Sequence, residues 1–256
     1  MPLTRRGPAR LLTALLALAW SALAAAAGGG NGPGAELLER SNQMLRGQSS
    51  RGTYRVEVVR PEWRKVLRFR GAYDYAGERF RMEVLKPRKS AGTVFLKVGG
   101  RLSMYLPKLG RRVAISPAMM PDPWMGSDFT NHDLLEADSP LRDYNHVLMD
   151  WKEPEDAPPY AVIESRPRDG GDVPWGHLKQ YVREDGVPMR VEYYNCRDEK
   201  VRVLSFHDVQ TIAGRPVPMR WEMRPTEDPE RYTVVQVEEL EFVDDLPEEL
   251  FSPPES

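Results

Sequence analysis

Three neighbouring segments in which apolar and polar residues alternate constrain this chain more than any other feature. They cover residues 54–58, 67–75 and 80–84, and arginine, glutamate or aspartate stands at most of the intervening positions. Successive side chains of a β-strand point to opposite faces of its sheet, so this period of two indicates strands with one apolar face and one wet face. The pattern predicts an antiparallel sheet whose apolar face needs cover.

The rest of the chain continues this pattern, with one helix ahead of it. Leu37, Leu38, Met44 and Leu45 can share one stripe of a helix between residues 34 and 47. Gly99-Gly100 suits a two-residue hairpin turn, and turns are also expected at 184–186 and 213–215. Further strands are predicted at residues 93–98, 102–106, 160–166, 178–183, 189–194, 201–206, 217–223 and 232–242. About ten antiparallel strands with one or two helices indicate a mainly β (α+β) fold, a strongly curved sheet or incomplete barrel.

The N-terminus has the order of a secretory signal peptide. Arg5, Arg6 and Arg10 precede an apolar run at 11–27 that ends in small residues. Cleavage is expected after Ala27, although 22–24 is an equally good site, and a retained anchor is less favoured because a spanning helix needs about 20 apolar residues. We therefore predict a signal peptide at 1–27, a flexible Gly-rich linker at 28–34 and a single domain at 35–256.

The residues of enzymes and metal sites do not occur here at their usual spacings. His132, His146, His177 and His207 are far apart in sequence, and neither a CxxC motif, a G-x-S-x-G elbow nor a phosphate-binding loop is found. Cys196, the lone cysteine, rules out an intrachain disulfide, and with no histidine near it a tolerated surface position is favoured over a catalytic one. The sequence predicts no enzyme, no metal and no cofactor, and export would remove nucleic acid as a partner.

The apolar strand face predicts either an ordinary core or the wall of a cavity. For any one side chain, core packing is the commoner arrangement. For the set, one long helix leaves much of a curved sheet uncovered, and methionine adapts well to a flexible ligand. The candidate lining residues are Tyr54, Leu67, Phe69, Tyr73, Phe80, Met82, Phe95, Met104, Met219 and Trp221.

A rim segment at residues 119–125 carries large apolar side chains between two prolines. Met119, Met120, Trp124 and Met125 need cover, while the prolines prevent the segment from continuing a sheet. A mobile lid and a permanently seated plug are both compatible with this composition. Just beyond it, residues 130–133 have the pattern of a capping box that opens a short helix.

The segment 105–134 also contains a cluster that resembles the signature of the LolA-like outer-membrane lipoprotein-sorting family. The matching residues are Tyr105, Pro107, Arg111, Arg112, Met125, Gly126, Ser127, Asp128, Phe129, Asp133 and Leu134. The resemblance extends over nearly the whole mature chain, with a helix near 37–45 and segments at 92–96, 144–146 and 246–251. The resemblance implies a half-open barrel with an N-terminal helix and short helices or loops as a lid.

That family resemblance also implies a function. It suggests a soluble, monomeric periplasmic carrier that shelters an acyl chain of a lipoprotein or lipid. The carrier would pass it from an inner-membrane transporter to an outer-membrane acceptor. The alternative is a non-catalytic accessory subunit that docks on an envelope transporter.

Charge is distributed unevenly along the chain. Residues 51–112 hold 17 basic and 5 acidic residues, whereas 227–256 hold 1 basic and 11 acidic residues. Arg55, Arg68, Arg70, Arg79 and Arg81 would form a cationic outer face able to attract anionic lipid headgroups or an acidic partner. Alternatively, the acidic C-terminal strand lies beside these arginines and neutralises them.

Overall fold

The computed structural model describes residues 32–135, 139–169 and 173–252. The predicted signal peptide at 1–27 and residues 28–31 of the predicted linker lie outside them. The strands are β1 Ser49–Val59, β2 Arg64–Asp74, β3 Arg79–Lys86, β4 Val94–Val98, β5 Arg101–Leu106, β6 Arg111–Ala114, β7 Tyr144–Lys152, β8 Tyr160–Pro167, β9 His177–Arg183, β10 Pro188–Tyr194, β11 Lys200–Ile212, β12 Arg215–Pro225 and β13 Tyr232–Val243.

These thirteen strands form one antiparallel sheet in the order β6-β5-β4-β3-β2-β1-β13-β12-β11-β10-β9-β8-β7. The first and last strands of the sequence meet in its middle, where β1 pairs with both β2 and β13. In the described chain, β6 and β7 are not paired to each other, so the sheet is not closed. The prediction of a mainly β, half-open barrel with one main N-terminal helix is confirmed.

Helix α1 Pro33–Arg46 packs on the sheet and contacts β7, β9 and β12. Proline at the first helical position has its backbone preset for a helix start. At the other end Gly47 has a positive φ of 64°, and its N–H donates to the Gln43 carbonyl at 2.8 Å. Pro33 and Gly34, which the linker prediction included, therefore belong to the helix.

One face of α1 is buried against the second half of the sheet. Leu37 and Leu38 pack with Ala161 and Ile163 of β8 and with Val182 of β9. Two shorter helices follow much later, α2 Asn131–Leu135 and α3 Ser139–Arg142. Among the described residues, no helix is long and apolar enough to cross a membrane.

The predicted tight turns are confirmed where positive φ is required. Gly99 and Gly100 have φ of 57° and 70° and join β4 to β5 with Val98 opposite Arg101. Ala213 and Gly214 do the same between β11 and β12, with φ of 50° and 78°. Two successive residues of positive φ match the twist of the flanking strands.

Strand β7 is an element that the alternation did not predict; its first residues, 144–146, entered only through the family resemblance. Val147, Leu148 and Met149 are consecutive apolar residues, and the register with β8 shifts between Leu148 and Asp150. This bulge interrupts the period of two on which strand prediction depends. As an edge strand, β7 also leaves Val147, Leu148, Met149 and Trp151 exposed.

In the structure, acidic side chains lie beside most of the arginines that were candidates for a cationic outer face. Arg68 pairs with Glu238 of β13 at 2.6 Å, and Arg79 pairs with Glu248 at 2.6 Å. Arg55 and Arg81 pair within their own strands, with Glu57 at 3.1 Å and Glu83 at 3.7 Å. Only Arg70 of the five proposed arginines has no ion pair in the described part of the chain, so the idea of a free cationic outer face here is wrong.

Candidate functional site

Two adjoining chambers lie inside the curved sheet, beneath α1. The first chamber has a volume of about 280 Å³ and is bounded by β1, β2, β3, β12, β13 and the end of α1. The second chamber, of about 300 Å³, lies between α1 and β9, β10 and β11. Both volumes are at the lower end of the range for ligand pockets, about 300–1,000 Å³. The two chambers share a waist made of Leu45, Arg46, Phe129, Asp133 and Trp221.

Tyr54 forms part of the wall of the first chamber, and two glycines make room for it. Gly52 of β1 lies opposite Gly71 of β2 in the register. A Cβ at Gly71 would lie 2.9 Å from the Tyr54 ring, which is too close for any other residue without a shift. Burial raises the pKa of Tyr54 to about 12, because a charged phenolate would lose its hydration at this position.

The predicted lining residues separate into two groups. Tyr54, Phe69, Tyr73, Phe80, Met82 and Trp221 line the first chamber. Leu67 and Phe95 are 0% and 3% exposed and lie in the main core cluster, against which Met104 also packs. Met219 belongs to another cluster, with Val217 and Val237. These last four residues do not line either chamber.

Trp124 seals one side of the first chamber. Its ring centroid lies 4.8 Å from that of Phe69 and 5.7 Å from that of Phe95, and the side chain is 5% exposed. Met119, Met120 and Met125 are partly buried against the same core cluster. The rim segment is thus seated on the sheet with its apolar side chains inward.

The signature residue Asp128 ties the end of the rim to the centre of the sheet. Its carboxylate is almost completely buried and receives Arg60 at 3.0 Å, Arg231 at 2.6 Å and the Thr233 hydroxyl at 2.7 Å. Its backbone N–H also donates to the Thr233 hydroxyl oxygen at 3.0 Å. Charge-assisted hydrogen bonds of this kind are among the stronger ones in proteins.

The neighbouring signature residues add further anchors. Lys65 donates to the Met125 carbonyl at 2.7 Å, and Arg60 donates to the Gly126 carbonyl at 2.9 Å. The Ser127 hydroxyl donates to the Trp124 carbonyl at 2.7 Å. So many fixed contacts favour a seated plug over a freely moving lid.

The predicted capping box is confirmed. The Thr130 N–H donates to the Asp133 carboxylate at 2.7 Å, and the Asp133 N–H donates to the Thr130 hydroxyl oxygen at 3.3 Å. These reciprocal bonds satisfy N–H groups at the start of α2.

Asp133 also forms a buried ion pair with Arg202 of β11. Two nitrogens of the guanidinium reach the two carboxylate oxygens at 2.5 and 2.8 Å. The guanidinium lies between the rings of Trp175 and Tyr193, 4.3 Å from each centroid. Burial alone would raise the pKa of Asp133, but the Arg202 charge and the hydrogen bonds from Arg202 and Thr130 outweigh it and lower that pKa.

Of the residues that line the second chamber, the predicted lining set contained only Trp221, which also lines the first. Trp175, Tyr193 and Tyr144 line it, together with the polar side chains of Gln180 and Arg190. One signal was present in the sequence. Arg202 is in phase with Leu204 and Phe206, and an arginine at an inward-facing strand position indicates a buried partner. The described residues contain no group of three or more His, Cys, Asp or Glu arranged to hold a metal ion.

Three solved crystal structures have a similar architecture. A crystal structure of a DUF1329 family protein from Desulfovibrio piger ATCC 29098 has 21% identity and a TM-score of 0.75, over 86% of this chain and 95% of that one. A LolA superfamily protein from Nitrosomonas europaea has 18% identity and a TM-score of 0.72, over 87% and 99% of the two chains. A domain named for outer membrane lipoprotein sorting, from Vibrio parahaemolyticus, has 20% identity and a TM-score of 0.72, over 85% and 95%.

Sequence comparison gives the family. A search of curated proteins found no significant match. A family model described as an uncharacterized protein matches residues 76–255, which is more than half of the chain. The chain therefore belongs to that family of uncharacterized proteins, and its fold is LolA-like.

Proposed function

We propose that this protein is a non-enzymatic periplasmic carrier that holds an acyl chain of a lipoprotein or lipid and passes it towards the outer membrane. The observation that carries the proposal is the first chamber, whose wall is mostly aromatic and aliphatic side chains from five strands, with Trp124 over one side. The fold that it shares with a domain named for lipoprotein sorting supports the same function.

Transfer by such a carrier needs no chemical step. Burial of each methylene contributes about 0.8 kcal/mol, so a partly sheltered chain is held during a crossing and released to a deeper pocket or a bilayer. The direction of transfer then follows the relative free energies of the acyl chain in donor, carrier and acceptor.

A polar side chain in the first chamber should weaken acyl-chain binding. Met82 lines this chamber and is partly buried. Met82→Gln keeps the length of the side chain and adds an amide that finds no partner against an acyl chain, which costs about 1–3 kcal/mol. A fluorescent fatty acid should therefore bind roughly tenfold to a hundredfold more weakly in a titration.

Met149→Gln is the matched control for this titration. Met149 is 57% exposed on β7 and lines neither chamber. The Met149→Gln variant should therefore bind the fluorescent fatty acid with the affinity of the wild type. Equal affinities for the Met82 variant and the wild type would refute acyl binding in the first chamber. Native mass spectrometry of protein isolated from its own periplasm would identify the natural ligand.

Export is a separate prediction of this proposal. The charged, apolar and small-residue order of 1–27 should direct secretion, with removal of residues through about Ala27. N-terminal sequencing of the protein from the periplasmic fraction tests both the secretion and the position of cleavage. A chain that still begins at Met1, or that needs detergent for extraction, would contradict it.

A second candidate function is favoured by the edge strand β7. Its exposed Val147, Leu148, Met149 and Trp151 lie on a strand with one unpaired edge in the described chain, an arrangement suited to addition of a partner strand. A protein that acts through this edge would be an accessory subunit of an envelope transporter. Such a subunit would copurify with a transporter and carry no lipid.

A further inference from the structure

One long stretch of this chain contains basic but no acidic residues. Residues 84–121 hold eight lysines and arginines and neither aspartate nor glutamate. Six of the eight are at positions 86, 88, 89, 108, 111 and 112. Their charges can form one basic surface only if the fold brings these six residues close together.

The antiparallel topology gathers three connections at one end of the sheet. Val59 lies opposite Arg64, Glu83 opposite Val94 and Leu106 opposite Arg111, so the β1–β2, β3–β4 and β5–β6 connections share that end. The last two connections touch, since a Cβ on Gly92 would lie 3.2 Å from Pro107. We name residues 60–65, 86–93 and 107–112 the basic tip.

The charges of the basic tip are largely uncompensated. Arg60 and Arg64 pair with Asp128 and Glu57, and Glu62 is the only acidic residue within the tip itself. Within the part of the chain that the structure describes, the six basic residues at 86, 88, 89, 108, 111 and 112 form no ion pair. Burial, and then repulsion from Lys89, lower the pKa of Lys65, which is another basic residue of the tip.

Two large apolar side chains are exposed among these charges. Trp63 is 47% exposed in the β1–β2 connection, and Leu109 is 64% exposed in the β5–β6 connection. Tryptophan favours the interface between lipid and water, and an apolar side chain within a basic surface is typical of proteins that lie on anionic membranes. An acidic chain without apolar groups of its own would pair with the charges but would leave Trp63 and Leu109 exposed to water.

The basic tip is also joined to the rim of the first chamber. Lys65 and Arg60, both of the tip, donate to the carbonyl oxygens of Met125 and Gly126. A surface held against the tip would therefore lie beside the rim segment.

We propose that the basic tip docks this protein on an anionic lipid bilayer, with Trp63 and Leu109 in the interface and the rim segment beside the membrane. The attraction is electrostatic and does not depend on whether the chambers take an acyl chain. The docking surface thus goes beyond the carrier function and would serve the accessory function equally.

Vesicle cosedimentation with the full mature chain tests the proposal. Vesicles of phosphatidylglycerol and phosphatidylcholine in equal parts should bind the protein, and phosphatidylcholine alone should not. Arg88→Gln/Lys108→Gln should weaken binding roughly 30-fold, the equivalent of about 1 kcal/mol for each basic residue at an anionic surface. Binding should also fall steeply with salt, because a Debye length of about 3 Å at 1 M screens exposed charges.

Matched variants at the opposite end of the sheet provide the controls. Arg101→Gln/Lys152→Gln makes the same change in net charge, at the exposed start of β5 and the exposed end of β7, and should bind like the wild type. Leu109→Ser should weaken binding severalfold, whereas Val98→Ser, at another exposed position, should not. Thermal unfolding of each variant checks its fold.

Three results would overturn the proposal. One is a failure of the wild type to bind anionic vesicles, and another is equal loss of binding in the two double variants. The third is binding to polyglutamate without binding to vesicles, which would assign the basic tip to an acidic protein partner. None of these results bears on acyl binding, which the Met82 titration measures separately.

Discussion

Replacing Trp124 by alanine is expected to lower the free energy of unfolding by about 3–5 kcal/mol, the usual cost of removing a buried aromatic side chain from a core. Trp124 is 5% exposed and packs against Phe69 and Phe95, and the anchored backbone on either side limits how far the site can collapse. For a protein of this size the fall in Tm should be roughly 10 °C. Chemical and thermal unfolding curves measure it.

Trp151→Ala is the matched control, because Trp151 is 38% exposed on β7 and should change stability far less. If the first chamber binds lipid, the Trp124 variant should also release an acyl probe faster, with a smaller effect on capture, because interface changes act mainly on dissociation. A Trp124 variant as stable as the wild type would mean that the tryptophan does not seal the core.

Replacing Arg202 by methionine should destabilise the protein by about 3–5 kcal/mol at neutral pH, because the Asp133 carboxylate would keep its charge without a buried partner. Both side chains are largely buried, at 7% and 16% exposure, and the guanidinium fills the space between two aromatic rings. Urea unfolding of the variant and the wild type measures the difference.

This destabilisation should depend on pH. In the wild type the pKa of Asp133 is lowered from 3.8, so its contribution to stability is present above that value and is lost as the pH falls through the folded-state pKa. Without Arg202, burial would instead raise the pKa of Asp133, and the variant should regain stability on acidification. The difference in free energy of unfolding between the Arg202→Met variant and the wild type should therefore become smaller as the pH is lowered from about 7 to about 4.

Two further variants separate the ion pair from general effects. Arg51→Met removes an arginine whose pairing with Glu241 is exposed and screened by solvent, so it should leave the free energy of unfolding almost unchanged. Arg202→Met/Asp133→Asn leaves no unpaired charge and should recover part of the lost stability. Equal stability of the Arg202→Met, Arg51→Met and double variants would mean that the buried ion pair does not stabilise the fold more than an exposed one. The same conclusion would follow if the stability difference between Arg202→Met and the wild type did not change with pH.

Alternation in the sequence was enough to predict most of the sheet. Leu67 and Phe69 on one face and Arg68 on the other follow from side-chain direction in a strand, which depends on local backbone geometry alone. Turns at Gly99-Gly100 and Ala213-Gly214, and the capping box of Thr130 and Asp133, were predictable for the same reason. Strand β7 was not, because its bulge breaks the local period.

Which apolar residues face open space could not be predicted in this way. Phe69 and Leu67 are two residues apart on the same strand face, yet only Phe69 lines the first chamber. The rim segment and α1 border the chamber beside Phe69, whereas Leu67 is fully buried in the core cluster. These elements are distant in sequence, and no local pattern records where they pack.

The sequence by itself determined the class of fold, the strand faces and the uneven distribution of charge along the chain, because each depends on residue type and on spacing along the chain. Only the tertiary structure decided where those charges act. Pairing of β1 with β13 brings Glu238 to Arg68 and cancels charge there, whereas three distant connections of like charge meet at the basic tip. The tertiary structure also brings Arg202 into contact with Asp133, 69 residues away in sequence. The physical reason is that electrostatic and packing energies depend on distance in space, which strand order sets and sequence separation does not.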